Sequence, residues 1–188
     1  MPEIQLRTQK SPHRAALHGV HSLDAFVFTV PDLDEAERFL VDVLGAERVY
    51  TLGAKRSDDD FMAVQLGVHP RTEITEIRFY RLGNGSNLEV FHYASADGQS
   101  PQPRNSDIGG HHLALYVDDM DQAVAFLHAH GVEVMGDPVT SGGASAGQQW
   151  LYFRSPWGMQ FELVSFPHGK AYEADADTLL WHPAHPAE

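Results

Sequence analysis

The sequence predicts an α+β fold built from two tandem βαβββ modules, and two observations carry this prediction. First, residues 25–40 return as residues 112–127 with six identities, and each copy is typical of a strand, a turn and a helix. Second, "GSNLEV" at 85–90 returns as "GMQFEL" at 158–163. Each of these is a turn glycine that leads into a strand with a central glutamate.

Each copy begins with a strand that ends in an aspartate-rich turn. The oxygens of Asp32 and Asp119 are suited to cap the helix that follows. The apolar positions of the first helix recur at helical spacing and predict one buried face, formed by Ala36, Phe39, Leu40, Val43 and Leu44. Gly45 and Gly131 indicate where the two helices end.

Two further strands are predicted between each helix and the last strand of its copy. They lie at 47–51 and 75–82 in the first copy, and at 132–136 and 148–154 in the second. The first copy is longer because residues 56–73 intervene, with a short helix after the polar cluster at 57–60. We expect this insert to form a lid or a pocket wall.

The chain is predicted to have five parts. In order they are an N-terminal extension (1–21), the first module (22–93, with the insert 56–73), a linker (94–109), the second module (110–167) and a C-terminal tail (168–188). The linker is rich in Ser, Pro, Gly and Asn. Because the tail carries Leu179, Leu180 and Trp181, we expect it to dock on its own chain or on a second subunit.

Composition excludes several classes of function. The formal net charge of −13 repels nucleic acid and anionic membrane surfaces, and the chain has no cysteine for a disulfide or a thiolate site. It has neither an apolar signal core at its N-terminus nor the roughly 18 consecutive apolar residues of a membrane span. We therefore expect a cytoplasmic protein that acts on a small molecule. We also expect the protein to be a homodimer, which composition does not decide.

Strand alternation decides which side chains share a face. Leu113, Leu115 and Val117 form the aliphatic face that packs under the helix, so His111 begins on the covered side and His112 points to the open side. The same parity places Glu89 and Glu162 on the open side of the last strand of each module.

Glu89, His112 and Glu162 are therefore candidate ligands of a divalent metal. A carboxylate in the middle of an interior strand is costly to bury unless a cation compensates its charge. Two carboxylates and one imidazole suit Zn, Mn, Fe, Co or Ni, and leave coordination positions for water or a chelating substrate.

At this point the sequence resembles the vicinal oxygen chelate superfamily, which includes glyoxalase I, methylmalonyl-CoA epimerase, extradiol dioxygenases and bleomycin-resistance proteins. The resemblance covers residues 22–167 and rests on "LDAFVFTVPDLDEAERFL", "NLEVF", "GHHLALYVDDMDQAVAFL" and "SPWGMQFELV". It implies that the paired modules form a half-open, barrel-like sheet with an internal metal cup. "VHPR", "PRNSDIGGHH" and "GKAYE" resemble a branch of epimerases that act on hydroxyketones and cyclitol-like sugars.

In this family the metal takes one ligand from the first and one from the last strand of each module. The corresponding positions here are Ala25, Glu89, His112 and Glu162. Ala25 cannot coordinate a metal, and water, substrate, His21 or His69 are the candidates to replace it. Whether one cup forms within a chain or between two chains is left open.

The leading functional hypothesis is a divalent-metal-dependent isomerase or epimerase. The metal would polarise a carbonyl of a small oxygen-chelating substrate, and Glu162 or Glu89 would move a proton on the adjacent carbon through an enediolate. Further candidates for contact with the substrate are Tyr116, Tyr152, Gln160 and Trp150, with His69 and Arg71 closing the pocket from the insert.

Two alternatives belong to other classes. A non-catalytic antibiotic-binding protein of the bleomycin-resistance type would use its acidic surface and Trp150 to hold a cationic drug. An extradiol-type dioxygenase is disfavoured, because the resemblance gives those enzymes two histidines and one carboxylate, whereas this chain keeps one histidine and two carboxylates.

Overall fold

The computed structural model describes residues 22–185 and contains two four-stranded sheets. The expected N-terminal extension, including His21, lies outside the described residues. The elements of the first module are β1 (Ala25–Thr29), α1 (Leu33–Arg38) continued by a π-helical turn (Phe39–Val43), β2 (Glu47–Leu52), α2 (Phe61–Leu66), β3 (Glu73–Leu82) and β4 (Ser86–Ala94). Helix α2 lies within the predicted insert.

The second module repeats this order without an insert. Its elements are β5 (His112–Tyr116), α3 (Met120–Ala129), β6 (Glu133–Thr140), β7 (Gln149–Arg154) and β8 (Gln160–Ser165). Short 3-10 turns lie between β6 and β7 and after β8. The predicted pair of βαβββ modules is thereby confirmed.

Strand order is the same in both modules. The first sheet runs β1-β4-β3-β2 and the second β5-β8-β7-β6, with the first strand parallel to the last and the other pairs antiparallel. Across residues 22–185 the two sheets remain separate and do not close into one barrel. β1 and β5 are therefore both edge strands.

The aspartates cap the helices as the sequence predicts. Asp32 Oδ1 accepts hydrogen bonds from the backbone N–H groups of Asp34 and Glu35, and Asp119 Oδ1 accepts one from Gln122. Gly131, with φ +68°, follows α3 in the left-handed conformation that glycine adopts without strain. These caps fix where each helix begins and ends above its sheet.

The two modules share one hydrophobic core. Phe39, at the end of the first helix, contacts both Phe161 of β8 and Trp157, at ring-centroid distances of 5.5 Å each. Trp157 also stacks on Phe28 of β1. The aliphatic residues of β5 pack against the same core, which confirms the predicted covered face.

An ion-pair network holds α1 on the first sheet. Arg78 of β3 is 12% exposed and donates hydrogen bonds to Asp34 and Glu37, each at 2.7 Å, and to the carbonyl of Leu33 at 3.1 Å. Arg48 reaches the same Glu37 oxygen from a position that is 49% exposed. Glu37 thus joins one half-buried and one exposed arginine.

The C-terminal tail docks on its own chain, one of the two outcomes expected for it. His182 packs against Tyr116 and Phe166 of the second module, and the amide of Asn84 in the first module donates to the carbonyl of Pro183. Leu179, Leu180 and Trp181 are nevertheless 59%, 69% and 56% exposed.

Within residues 22–185, no helix has the length and apolarity needed to cross a membrane.

Candidate functional site

Each sheet has one face packed against the shared core and one open face. On the first sheet Leu88 and Val90 enter the core, so Glu89 between them lies on the open face. On the second sheet Phe161 and Leu163 enter the core, and Glu162 occupies the equivalent open position. The predicted strand parity therefore holds in both modules.

The open face of the second sheet brings two of the predicted ligands together. His112 Nε2 lies 3.1 Å from Glu162 Oε2, within hydrogen-bonding distance. The two side chains are 32% and 13% exposed, so the pair is partly shielded from water while remaining accessible. An imidazole nitrogen and a carboxylate oxygen this close provide two donors suited to one divalent metal.

Aromatic residues flank this pair. Tyr152 is the register partner of Glu162 on β7, and its ring meets that of His112 edge-on at 5.1 Å. Burial and the nearby charge of Glu162 raise the pKa of the Tyr152 phenol. Trp150 lies next along the open face, 5.2 Å from Tyr152. Two of the predicted contact residues, Tyr152 and Trp150, therefore lie on the same open face as Glu162.

Gln160 and Tyr116, two more of the predicted contact residues, also lie on this face. Gln160 is the register partner of His112 on β8. Tyr116 is held at the far end of β5 by Phe166 and by His182, at 4.9 Å each. The sequence did not predict the contact between His182 and Tyr116, because the residues of the tail show no periodic pattern.

Glu89 stands apart from the His112–Glu162 pair. It is the register partner of Phe79 on the first sheet, and burial together with the charge of Asp24 raises the pKa of its carboxyl group. Among the residues that the structure describes, no three His, Asp or Glu side chains form a cluster able to hold a metal. The described part of one chain therefore presents the His112–Glu162 pair and a separate carboxylate.

Ala25, the fourth ligand position that the family resemblance implies, lies near Glu89 on the first sheet. Ala25 is the register partner of Asn87, two residues before Glu89 on β4, and the Asn87 amide donates to the carbonyl of Asp24 at 3.1 Å. The side chain at this position remains a methyl group, so any further ligand has to come from elsewhere.

The insert forms a wall on the first sheet. Met62 of α2 is fully buried against Ile74 and Ile77, and Phe91 and Tyr93 on the open face pack against this cluster. The insert therefore covers the part of the open face beyond Glu89. In the sequence, only the adjacent Phe61 and Met62 at the start of α2 indicate this contact. Helical periodicity does not predict it.

His69 and Arg71 both take part in hydrogen bonds within the insert. The Arg71 guanidinium donates to the carbonyls of Ser57 and Asp59 at 2.9 and 3.2 Å, and its backbone N–H donates to His69 Nδ1 at 3.1 Å. Both residues brace the insert in this conformation, and their predicted contact with substrate stays a prediction.

Comparison with known proteins gives a match to one protein family. Residues 25–153 match the profile of the Glyoxalase/Bleomycin resistance protein/Dioxygenase superfamily. The chain is 44% identical over 174 residues to a 2-epi-5-epi-valiolone epimerase from Actinomyces sp, an alignment that spans 92% of this chain and 91% of that protein.

Solved structures show the same fold at lower identity. A glyoxalase family protein from Bacillus cereus aligns with a TM-score of 0.61 at 19% identity, covering 80% of this chain and 98% of that one. FosX, the fosfomycin resistance protein from Listeria monocytogenes, solved with Mn(II) and sulfate, aligns with a TM-score of 0.53 at 20% identity, covering 82% and 98%.

Proposed function

Because the chain belongs to the glyoxalase/bleomycin resistance protein/dioxygenase superfamily, we propose that it is an epimerase of a small cyclitol ketone such as 2-epi-5-epi-valiolone. The observation that carries the proposal is the His112–Glu162 pair, 3.1 Å apart on an open face and surrounded by aromatic residues. The 44% identity to the Actinomyces epimerase favours this function over antibiotic binding and over dioxygenase chemistry.

The complete site is proposed to form between two copies of the chain. Each copy offers His112 and Glu162 on one sheet and Glu89 on another, and within residues 22–185 of one copy these groups do not form a three-ligand cluster. In a two-fold dimer the first sheet of one copy would face the second sheet of its partner, which generates two equivalent sites. This arrangement unites the predicted ligands without moving the shared core.

A divalent metal is proposed to sit between these faces. His112 and Glu162 of one copy and Glu89 of the other would hold it, and when bound it would polarise the substrate carbonyl. That Mn(II) accompanies FosX, which shares this fold, supports a divalent ion in general, while the identity of the metal in this chain is left to measurement.

Epimerisation requires that a proton leave one face of a carbon and return to the other. Glu162 would remove the proton from the carbon next to the carbonyl, giving the enediolate of the substrate. Glu89, which occupies the equivalent strand position in the other module, would carry a proton on one carboxyl oxygen at the start and return it from the opposite wall of the cup. Glu162 would then release its proton to solvent, and Glu89 would take up another. Two carboxylates on facing walls therefore account for inversion.

The residues around Glu162 are proposed to orient the ring. Gln160 and the phenols of Tyr152 and Tyr116 can hydrogen-bond to hydroxyl groups of a cyclitol. Trp150 offers an apolar ring surface for the C–H face of the substrate. Because these groups come from rigid strands, the substrate is held in one orientation as its proton is transferred.

The proposed function is tested by measuring conversion of the ketone directly. Purified protein supplied with Mn(II) should convert 2-epi-5-epi-valiolone into a mixture with its epimer, resolved by chromatography and NMR. Glu162→Gln should slow the conversion about a hundredfold or more, since general acid–base catalysis contributes that much. A folded, metal-loaded protein that leaves the ketone unchanged would overturn the proposal.

A further inference from the structure

The two glutamates on the open faces have different neighbours. In each module the glutamate has a register partner on the adjacent first strand, and the repeat makes these two positions equivalent. The partner of Glu89 is Val27, whereas the partner of Glu162 is Ala114. Val27 is 51% exposed and Ala114 is also exposed, so neither side chain is required by the shared core.

Ala114 leaves a gap beside Glu162. Its neighbours on the same face of β5 are His112 and Tyr116, which are about 13 Å apart by strand geometry. His112 bonds Glu162, and Tyr116 is fixed by the aromatic contacts at the far end of the strand. A methyl group between two anchored rings therefore forms the floor of a notch that opens onto the carboxylate.

The far side of Glu162 is closed. Tyr152 occupies the register position across β8, with its ring against His112. A substrate carbon that approaches Glu162 from the side of β5 therefore passes over the small side chain of Ala114. In the first module the equivalent approach to Glu89 meets the branched side chain of Val27 instead.

We infer that Ala114 is a specificity-determining residue, whose small side chain admits the reacting carbon of a ring ketone to Glu162. This inference rests on the proposed function. Proton transfer needs the carbon within about 3–3.5 Å of the carboxylate. Two added methyl groups at position 114 would occupy the space through which a six-membered ring reaches that distance.

The test exchanges the residues at positions 27 and 114. Ala114→Val gives the second module the residue of the first, and Val27→Ala makes the reciprocal change. Valine is favoured in strands, so Ala114→Val is expected to fold, and metal content and the thermal midpoint check this. Ala114→Ser, which keeps the side chain small, serves as the matched control.

The readout is kcat and KM for 2-epi-5-epi-valiolone. We expect Ala114→Val to lower kcat/KM by about tenfold or more, because one added methylene can exclude a substrate to this extent. Ala114→Ser and Val27→Ala should stay within about threefold of the wild type. A folded, metal-loaded Ala114→Val within threefold of wild type overturns the inference, and so does an equal loss in Ala114→Ser.

The wild type separates this inference from the proposed function. If the wild type converts the ketone and Ala114→Val does so equally well, the inference about Ala114 is wrong and the proposed epimerase function stands. If the folded wild type converts none, both are wrong, because the notch then has no ring ketone to admit.

Discussion

His112 and Glu162 are hydrogen bonded across the parallel strands β5 and β8, although they are not register partners. The partner of His112 is Gln160, and the partner of Glu162 is Ala114. The imidazole therefore leans along the strand to place Nε2 3.1 Å from Glu162 Oε2. This diagonal contact presents two donors to a common point.

The first prediction concerns the ligand assignment. His112→Ala should reduce the divalent metal that copurifies with the protein to below about a tenth of the wild-type content, since a ligand on a rigid strand is lost. Elemental analysis after purification without chelator measures this directly.

His111 supplies the matched control. Its Nδ1 lies 2.9 Å from the carbonyl of Gly109, and its ring packs on Phe26 at 5.6 Å. His111→Ala should therefore leave the metal content nearly unchanged. Equal losses in the two variants would show that strand parity does not identify the ligand.

The second prediction tests whether the site is shared between copies. Glu89→Gln and Glu162→Gln should each be inactive as homodimers. In a heterodimer of the two variants, one cup contains both intact glutamates and the other contains neither. The purified heterodimer should therefore recover about half of the wild-type activity, since a two-fold dimer has two equivalent sites.

The competing arrangement gives a different result. If each cup lay within one chain, every site of the heterodimer would lack one glutamate, and the activity would stay at the level of the homodimeric variants. Differently tagged chains, coexpressed and purified through both tags, provide the heterodimer for this comparison.

The third prediction concerns the stability of the first module. Arg78→Ala should lower the free energy of unfolding by about 2 kcal/mol, because Glu37 and the carbonyl of Leu33 lose a half-buried donor. Arg48→Ala removes an exposed partner of the same Glu37 oxygen and should cost less than about 1 kcal/mol. Urea unfolding measures both, and equal losses would contradict the difference in burial.

Much of the fold could be predicted from the sequence because the module is repeated. The aligned copies identified each strand and helix, and Asp32 and Asp119 cap the helices as expected. The strand boundaries shifted where a pattern is interrupted: β6 continues through Gly136 and Pro138 to Thr140, past the end predicted from its apolar run. An irregular register between Met135 and Val139 accommodates this stretch.

Only part of the candidate site could be predicted from the repeat and from strand alternation. Parity within one sheet predicted that His112 and Glu162 share a face, and they are in contact. The position of Glu89 relative to them depends on how the two modules pack, and that packing is set by side chains such as Phe39 and Trp157 with no regular spacing. The burial of Tyr116 under the tail depends on an equally irregular contact.

The most direct test of the account follows hydrogen exchange in the wild type. During turnover of 2-epi-5-epi-valiolone in deuterated water, NMR should show deuterium entering the carbon next to the carbonyl as the epimer forms. In the proposed mechanism Glu162 removes one proton and Glu89 returns another, which comes from solvent. Epimer formed without any deuterium, or with consumption of dioxygen, would contradict proton transfer at this site.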